Sequence, residues 1–155
     1  MIPFSRKEFS VLEALVYIAL HHSVHPISGK KLADVQQLST RYLEQMMQKL
    51  VHAKVLRSIR GPRGGYLLAR ERRKVSIGEI LSILHAGDDE RKIVPQTTLA
   101  KKVILPFCEK AGEALEDELY GVTLADLCEE AYKNQATDTP EKQAMERHSR
   151  PDFAI

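Results

Sequence analysis

The chain has no tryptophan, and only five tyrosines and four phenylalanines among its 155 residues. So few aromatic rings give little material for a sugar-stacking platform or an aromatic cage. Its two cysteines, Cys108 and Cys128, are too few for a secreted disulfide scaffold and too far apart for a local metal clip. No metal site is expected. Long apolar runs are also missing: Leu15 to Leu20 falls far short of the roughly 20 residues that span a bilayer. The first eight residues lack the apolar core of a signal peptide. These absences predict a cytoplasmic protein with no membrane partner.

What is present suits one globular domain with an appendage: 43% hydrophobic residues can build a core and 28% charged residues can cover it. The net charge of +2 conceals a division along the chain. Residues 1–85 carry 14 Lys and Arg against six Asp and Glu, whereas residues 86–155 carry nine against 15. A basic first half is the electrostatic footprint of a module that binds a polyanion. An acidic second half would repel one, so it must serve another purpose.

Apolar residues at three- and four-residue steps (Phe9, Leu12, Val16, Ala19, Leu20) predict a first helix over Arg6–His22, with Ser5 and Glu8 as a capping box. A second, short helix is expected from Ser28 to about Gln37. A turn at Leu38-Ser39 and a third helix from Thr40 to about Ala53 follow, with Ser39 as N-cap. In the third helix Leu43, Met46, Met47 and Leu50 form the buried stripe. Arg41, Glu44, Gln45, Gln48 and Lys49 then face outward. Two short helices joined by a tight turn, the second polar outside, form a helix-turn-helix.

Next, Val55–Arg60 alternates apolar and polar as a half-buried strand does. Gly61-Pro62-Arg63-Gly64-Gly65 reads as a hairpin turn, its paired glycines supplying positive backbone angles. Tyr66–Arg70 returns as a second strand, and a helix over Ser76–His85 closes the unit. The fold class expected is therefore mainly α with a small β-hairpin: a winged helix-turn-helix domain plus a long helix. Residues 1–85 form the winged helix-turn-helix domain, a candidate for DNA binding, and 86–98 a linker loop. Residues 99–133 supply the long helix, which carries an apolar seam, is started or kinked by Pro106 and ended by Gly121 as C-cap, and a short last helix capped by Thr123. Residues 134–155 form a flexible or extended tail.

A helix laid in the major groove meets a distinct donor and acceptor pattern at each base pair. Arg41 and Gln45 suit guanine and adenine edges, and Glu44 suits cytosine. Thr40, Tyr42 and Lys49 suit phosphates, which fix register rather than sequence. Arg57, Arg60 and Arg63 cluster on the wing, where a tip arginine can enter a narrow minor groove. Arg70, Arg72, Arg73 and Lys74 extend the basic strip. Ser5, Arg6 and Lys7 sit at a helix N-terminus, where free amides and positive charge favour a phosphate.

The segments Ser39-Thr40-Arg41-Tyr42-Leu43-Glu44-Gln45 and Arg60-Gly61-Pro62-Arg63-Gly64-Gly65-Tyr66-Leu67-Leu68 closely resemble the Rrf-type family of bacterial winged helix-turn-helix transcriptional regulators. The resemblance runs from residue 1 to about 132 and includes Val122–Leu127. It implies a homodimer joined by a long helix, here about Leu105 to Tyr120. It further implies Ser39, Arg41, Tyr42, Glu44 and Gln45 in the major groove, and Arg60 with the wing residues Pro62, Arg63, Gly64 and Gly65 in the minor groove. Cluster-binding members place three cysteines between the helix after the wing and the dimer helix; this chain has none there. No cofactor is therefore expected, an iron–sulfur cluster being the disfavoured alternative.

The function expected is a sequence-specific regulator, a repressor first of all, that binds double-stranded operator DNA of pseudo-palindromic sequence as a homodimer. The alternative is an iron–sulfur or thiol-based redox sensor on the same fold, with Cys108 and Cys128 as candidate sensing thiols and a small-molecule or redox effector as partner. No base is arranged beside either cysteine, so an enzyme is not expected. His21, His22 and His25 read as a solvated helix terminus, where the helix dipole favours them.

Overall fold

The computed structural model describes residues 4–21, 25–36, 39–86 and 94–137. The expected turn residue Leu38, His22, most of the expected linker and the tail beyond residue 137 lie outside the described residues.

Helix α1 (Arg6–Leu20) opens with the anticipated capping box: the Glu8 N–H donates to Ser5 Oγ at 3.2 Å, and the Ser5 N–H donates to Glu8 Oε2 at 2.6 Å. Glu8 is buried, and its other carboxylate oxygen meets His85 Nε2, which ties the start of α1 to the end of α4 (Ile77–His85). The buried face of α1 overlaps the expected one only in part: Ala19 is buried, and Leu12, Val16 and Leu20 are partly buried against the core. Val11, Ala14, Leu15, Ile18 and Ala19 are buried, whereas Phe9 is 58% exposed. Apolar residues occupy both sides of this helix, so two stripes compete.

Helices α2 (Gly29–Gln36) and α3 (Thr40–His52) form the helix-turn-helix. Ser39 caps α3 as expected, accepting from the Tyr42 N–H at 3.3 Å. Leu43, Met47 and Leu50 reach zero exposure, and Met46 is only partly buried. The end of α3 has a form that the sequence conceals. The Lys54 N–H donates to the Val51 carbonyl and the Val55 N–H to the Leu50 carbonyl, both at 3.0 Å, while Lys54 takes φ 58°. This is a Schellman turn with lysine where glycine is usual.

The turn delivers the chain into β1 (Leu56–Ile59), which pairs antiparallel with β2 (Gly65–Leu68) from Leu56↔Leu68 to Ile59↔Gly65. At the tip the Gly64 N–H donates to the Gly61 carbonyl at 2.9 Å, with Pro62 at the position where its fixed φ favours a turn. Positive φ falls at Gly61 (114°) and, within the expected Gly64-Gly65 pair, at Gly65 (158°), angles that a side chain rarely adopts. Gly65 answers a second need. Ile27 pairs with Tyr66 through bonds of 3.0 and 2.8 Å, and a Cβ on Gly65 would lie 2.2 Å from the Ile27 carbonyl oxygen.

A 3-10 turn (Arg72–Lys74) leads to α4, whose Ile77, Ile80, Leu81 and Leu84 are buried as expected. A π-helical stretch (Ala100–Ile104) runs into α5 (Leu105–Gly121), with Pro106 at its start. Gly121 is not a C-cap but the last helical residue; the extended Val122 ends the helix. Helix α6 (Leu124–Lys133) begins at the expected Thr123 cap, which forms a capping box with Asp126. Its Leu124 and Cys128 are fully buried in the same core as α1, α3 and α4. A bridge between Ser76 and Thr123 fixes that return.

Lys54→Gly removes the side-chain clash of a left-handed lysine. We expect it to raise unfolding stability by about 1 kcal/mol, read as a higher urea midpoint at constant slope; an unchanged or lower midpoint contradicts the turn described.

Candidate nucleic-acid interface

The outer face of α3 presents Arg41, Glu44, Gln45 and Gln48, all exposed, and Thr40 at its first turn is exposed as well. Arg41, Glu44, Gln45 and Gln48, with Lys49, His52 and Tyr66, line an open concavity of about 670 Å³. Tyr66 therefore joins the recognition helix to the wing strand. Its phenol is held above the ordinary tyrosine pKa, first by burial and then by the Glu44 carboxylate, a hydrogen bond to Gln48 working the other way. It keeps its proton at neutral pH and offers a hydroxyl beside Gln48. Neither Tyr66 nor His52 was marked as a site residue by sequence; both were read only for their strand or helix pattern.

The N-terminus of α1 reaches the same helix. Lys7 Nζ stands 4.7 Å from the centre of the Tyr42 ring, a cation–π contact that brings Arg6 and Lys7 beside the first turn of α3. The hydroxyls of Ser5 and Ser39 are engaged as helix caps. On the wing Arg57, Arg60, Pro62 and Arg63 are exposed, while Gly64 and Gly65 are half-buried where the tip meets the sheet. The tip lies only a few residues along the chain from Tyr66.

Other expected cations also make contacts within the fold. Lys49 is half-buried, and its ammonium donates to the carbonyls of Leu84 at 2.8 Å and Ala86 at 3.3 Å, capping the end of α4. Arg70 pairs with Glu79 at 2.6 Å and Lys74 with Glu71 at 3.2 Å. Arg72 faces the Cys128 thiol. The basic strip after the wing thus turns toward α4 and α6. The His21 Nδ1–H donates to the Tyr17 carbonyl (2.9 Å), and the imidazole packs, tilted, against the Tyr17 ring, as a helix-end residue does.

These elements have known counterparts. A family model described as Rrf2, iron-dependent transcriptional regulator, matches residues 4–130. The chain belongs to the Rrf2 family. Among Rrf2-family relatives, the HTH-type regulator CymR of Bacillus subtilis is 30% identical over 116 residues, 75% of this chain and 82% of that protein. Protein rrf2 of Nitratidesulfovibrio vulgaris is 31% identical over 123 residues, 76% and 81% of the two chains. The solved structure of T. potens IscR superposes with a TM-score of 0.68 at 34% identity, over 86% of this chain and 91% of that one. The Rrf2 family consists of transcriptional regulators, not enzymes, and the fold is its winged helix.

The family description raises the question of iron. Among the described residues no group of three or more His, Cys, Asp or Glu side chains could hold a metal ion. The two thiols are separated in kind as well: Cys108 is exposed on α5, whereas Cys128 is buried on α6 and burial pushes its thiol pKa up. A cluster requires several thiolates or substitutes at one place, and these residues do not fit one.

Lys49→Gln should lower stability by about 1 kcal/mol, through loss of charge-assisted bonds to carbonyls, and leave the salt dependence of DNA binding unaltered. A shallower salt slope with unchanged stability would return Lys49 to the phosphates.

Proposed function

We propose that the chain is a cytoplasmic repressor that binds a pseudo-palindromic operator as a homodimer. The exposed polar face of α3, continuous with Tyr66 of the wing strand, carries this reading. Arg41, Glu44 and Gln45 read base edges in the major groove, and Arg60 and Arg63 enter the flanking minor groove. Thr40, Tyr42, Arg6 and Lys7 hold phosphates, and Arg57 adds charge along the wing. Membership of the Rrf2 family supports DNA as the partner, and the excess of basic residues over 1–85 supplies the attraction. Among the described residues no helix is long and apolar enough to cross a membrane.

Dimerisation is supported by α5 and the stretch before it. Leu99, Val103, Ile104, Phe107 and Leu115 are exposed, Phe107 at 71%, and no residue of α5 is buried within the chain. An apolar seam of this length fits a second copy better than water. Two recognition helices would then stand about 34 Å apart, one turn of duplex. Cys128, buried and raised in pKa, is poorly suited to redox sensing.

The test uses duplexes enriched from a random pool. Arg63→Ala should make the plot of log affinity against log salt shallower by about one; an unchanged slope removes Arg63 from the DNA contacts. Arg41→Ala should cost about 1–3 kcal/mol on the preferred sequence and relax choice at one base pair. Equal losses on preferred and random duplexes would assign it to the backbone instead. Phe107→Glu should sediment as a monomer and bind the full operator at least about tenfold more weakly; a dimer that persists places the interface elsewhere.

A further inference from the structure

A hollow of about 560 Å³ opens where the end of α1, the root of the wing and α6 meet. Ala19, Leu20, Leu68 and Ala125 supply its apolar lining, and the Tyr132 ring, half exposed, adds an aromatic wall. Its size falls in the range of small-molecule sites, roughly 300–1,000 Å³, which combine apolar surface with a few convergent polar groups.

The charges around it do not cancel. Arg70 is neutralised by Glu79 and Glu71 by Lys74. Arg72, Arg73 and Glu129 remain in the lining. Arg72 faces the Cys128 thiol, and neither Arg72 nor Arg73 forms a salt bridge among the described residues. Two guanidinium groups against one carboxylate leave an excess of one positive charge beside an apolar surface.

We propose that this hollow binds a small organic monocarboxylate, held through its carboxylate by Arg73 and Arg72 and through its apolar body by Leu20 and Tyr132. A guanidinium matches a carboxylate in geometry as well as charge, since two N–H groups can donate in parallel. Bare inorganic anions lack the body that the apolar lining would desolvate. Leu68 ends β2, so an occupant touches the root of the wing and is placed to act as an effector. The binding itself requires no DNA and stands apart from the operator reading.

The test is calorimetric titration of the full chain, without DNA and at fixed ionic strength, using benzoate as probe. Benzoate should bind saturably with a Kd of about 1 mM or tighter. Arg73→Gln should weaken it about tenfold and Tyr132→Ala several-fold, with both variants folded by circular dichroism, while Arg63→Gln leaves it unchanged. Inorganic phosphate at the same concentration should not displace it. Absence of saturable binding overturns the proposal, as does full binding by folded Arg73→Gln. Displacement by phosphate would reduce the hollow to a plain anion site and overturn it too. If Arg73→Gln flattens the salt dependence of DNA binding and benzoate does not bind, these arginines serve the duplex and the proposal fails.

Discussion

Two backbone hydrogen bonds between Ile27 and Tyr66 hold the molecule in its working shape. Ile27 lies just before α2, and Tyr66 is the second residue of β2, so the pair fastens the wing to the entrance of the helix-turn-helix. The approach is so close that residue 65 cannot carry a side chain without displacing the Ile27 carbonyl. Tyr66 then meets Gln48 and Glu44, which couples the wing to the outer face of α3. This isolated bridge adds to the core packing of Leu56, Tyr66 and Leu68 that also holds the hairpin to the helices.

Much of this architecture was legible in the sequence because it depends on local rules. Ser5 with Glu8, Ser39 and Thr123 mark helix starts through oxygen atoms that only such residues can offer to free amides. The period of α3 and α4 is clear because each has one apolar face. The wing announces itself through Gly61-Pro62 and the alternation before it. What escaped was decided by tertiary contact. Helix α1 is apolar on two sides, and no periodicity reveals which side other helices will choose. Ile27 is a single residue of strand, too short to leave a pattern. The Schellman turn at Lys54 lacks the glycine by which such turns are read.

The candidate site shows the same division. That Arg41, Glu44 and Gln45 face outward follows from Leu43, Met47 and Leu50 facing inward. A positive charge, however, says nothing of its partner. Lys49 and Arg70 look the same in sequence as Arg57 and Arg63. Yet the first two are spent on carbonyls and a carboxylate across the fold, at separations of 35 and nine residues. In the same way two cysteines read alike until one is found sealed in the core with α1 and the other on an open helix. The acidic second half is likewise not one unit: α6 belongs to the core of the first half, and α5 stands out from it.

Helix α5 returns to the body against Gly78, where even a methyl group would press within 2.5 Å of the Tyr120 ring. Helix α4, which carries Gly78, is in turn bound at its far end by Lys49 of α3. Tyr120, α4 and Lys49 thus form one run of contacts from α5 to α3. In a pair of chains joined along α5, a tilt of about 5° over its length of about 25 Å moves the far end by about 2 Å.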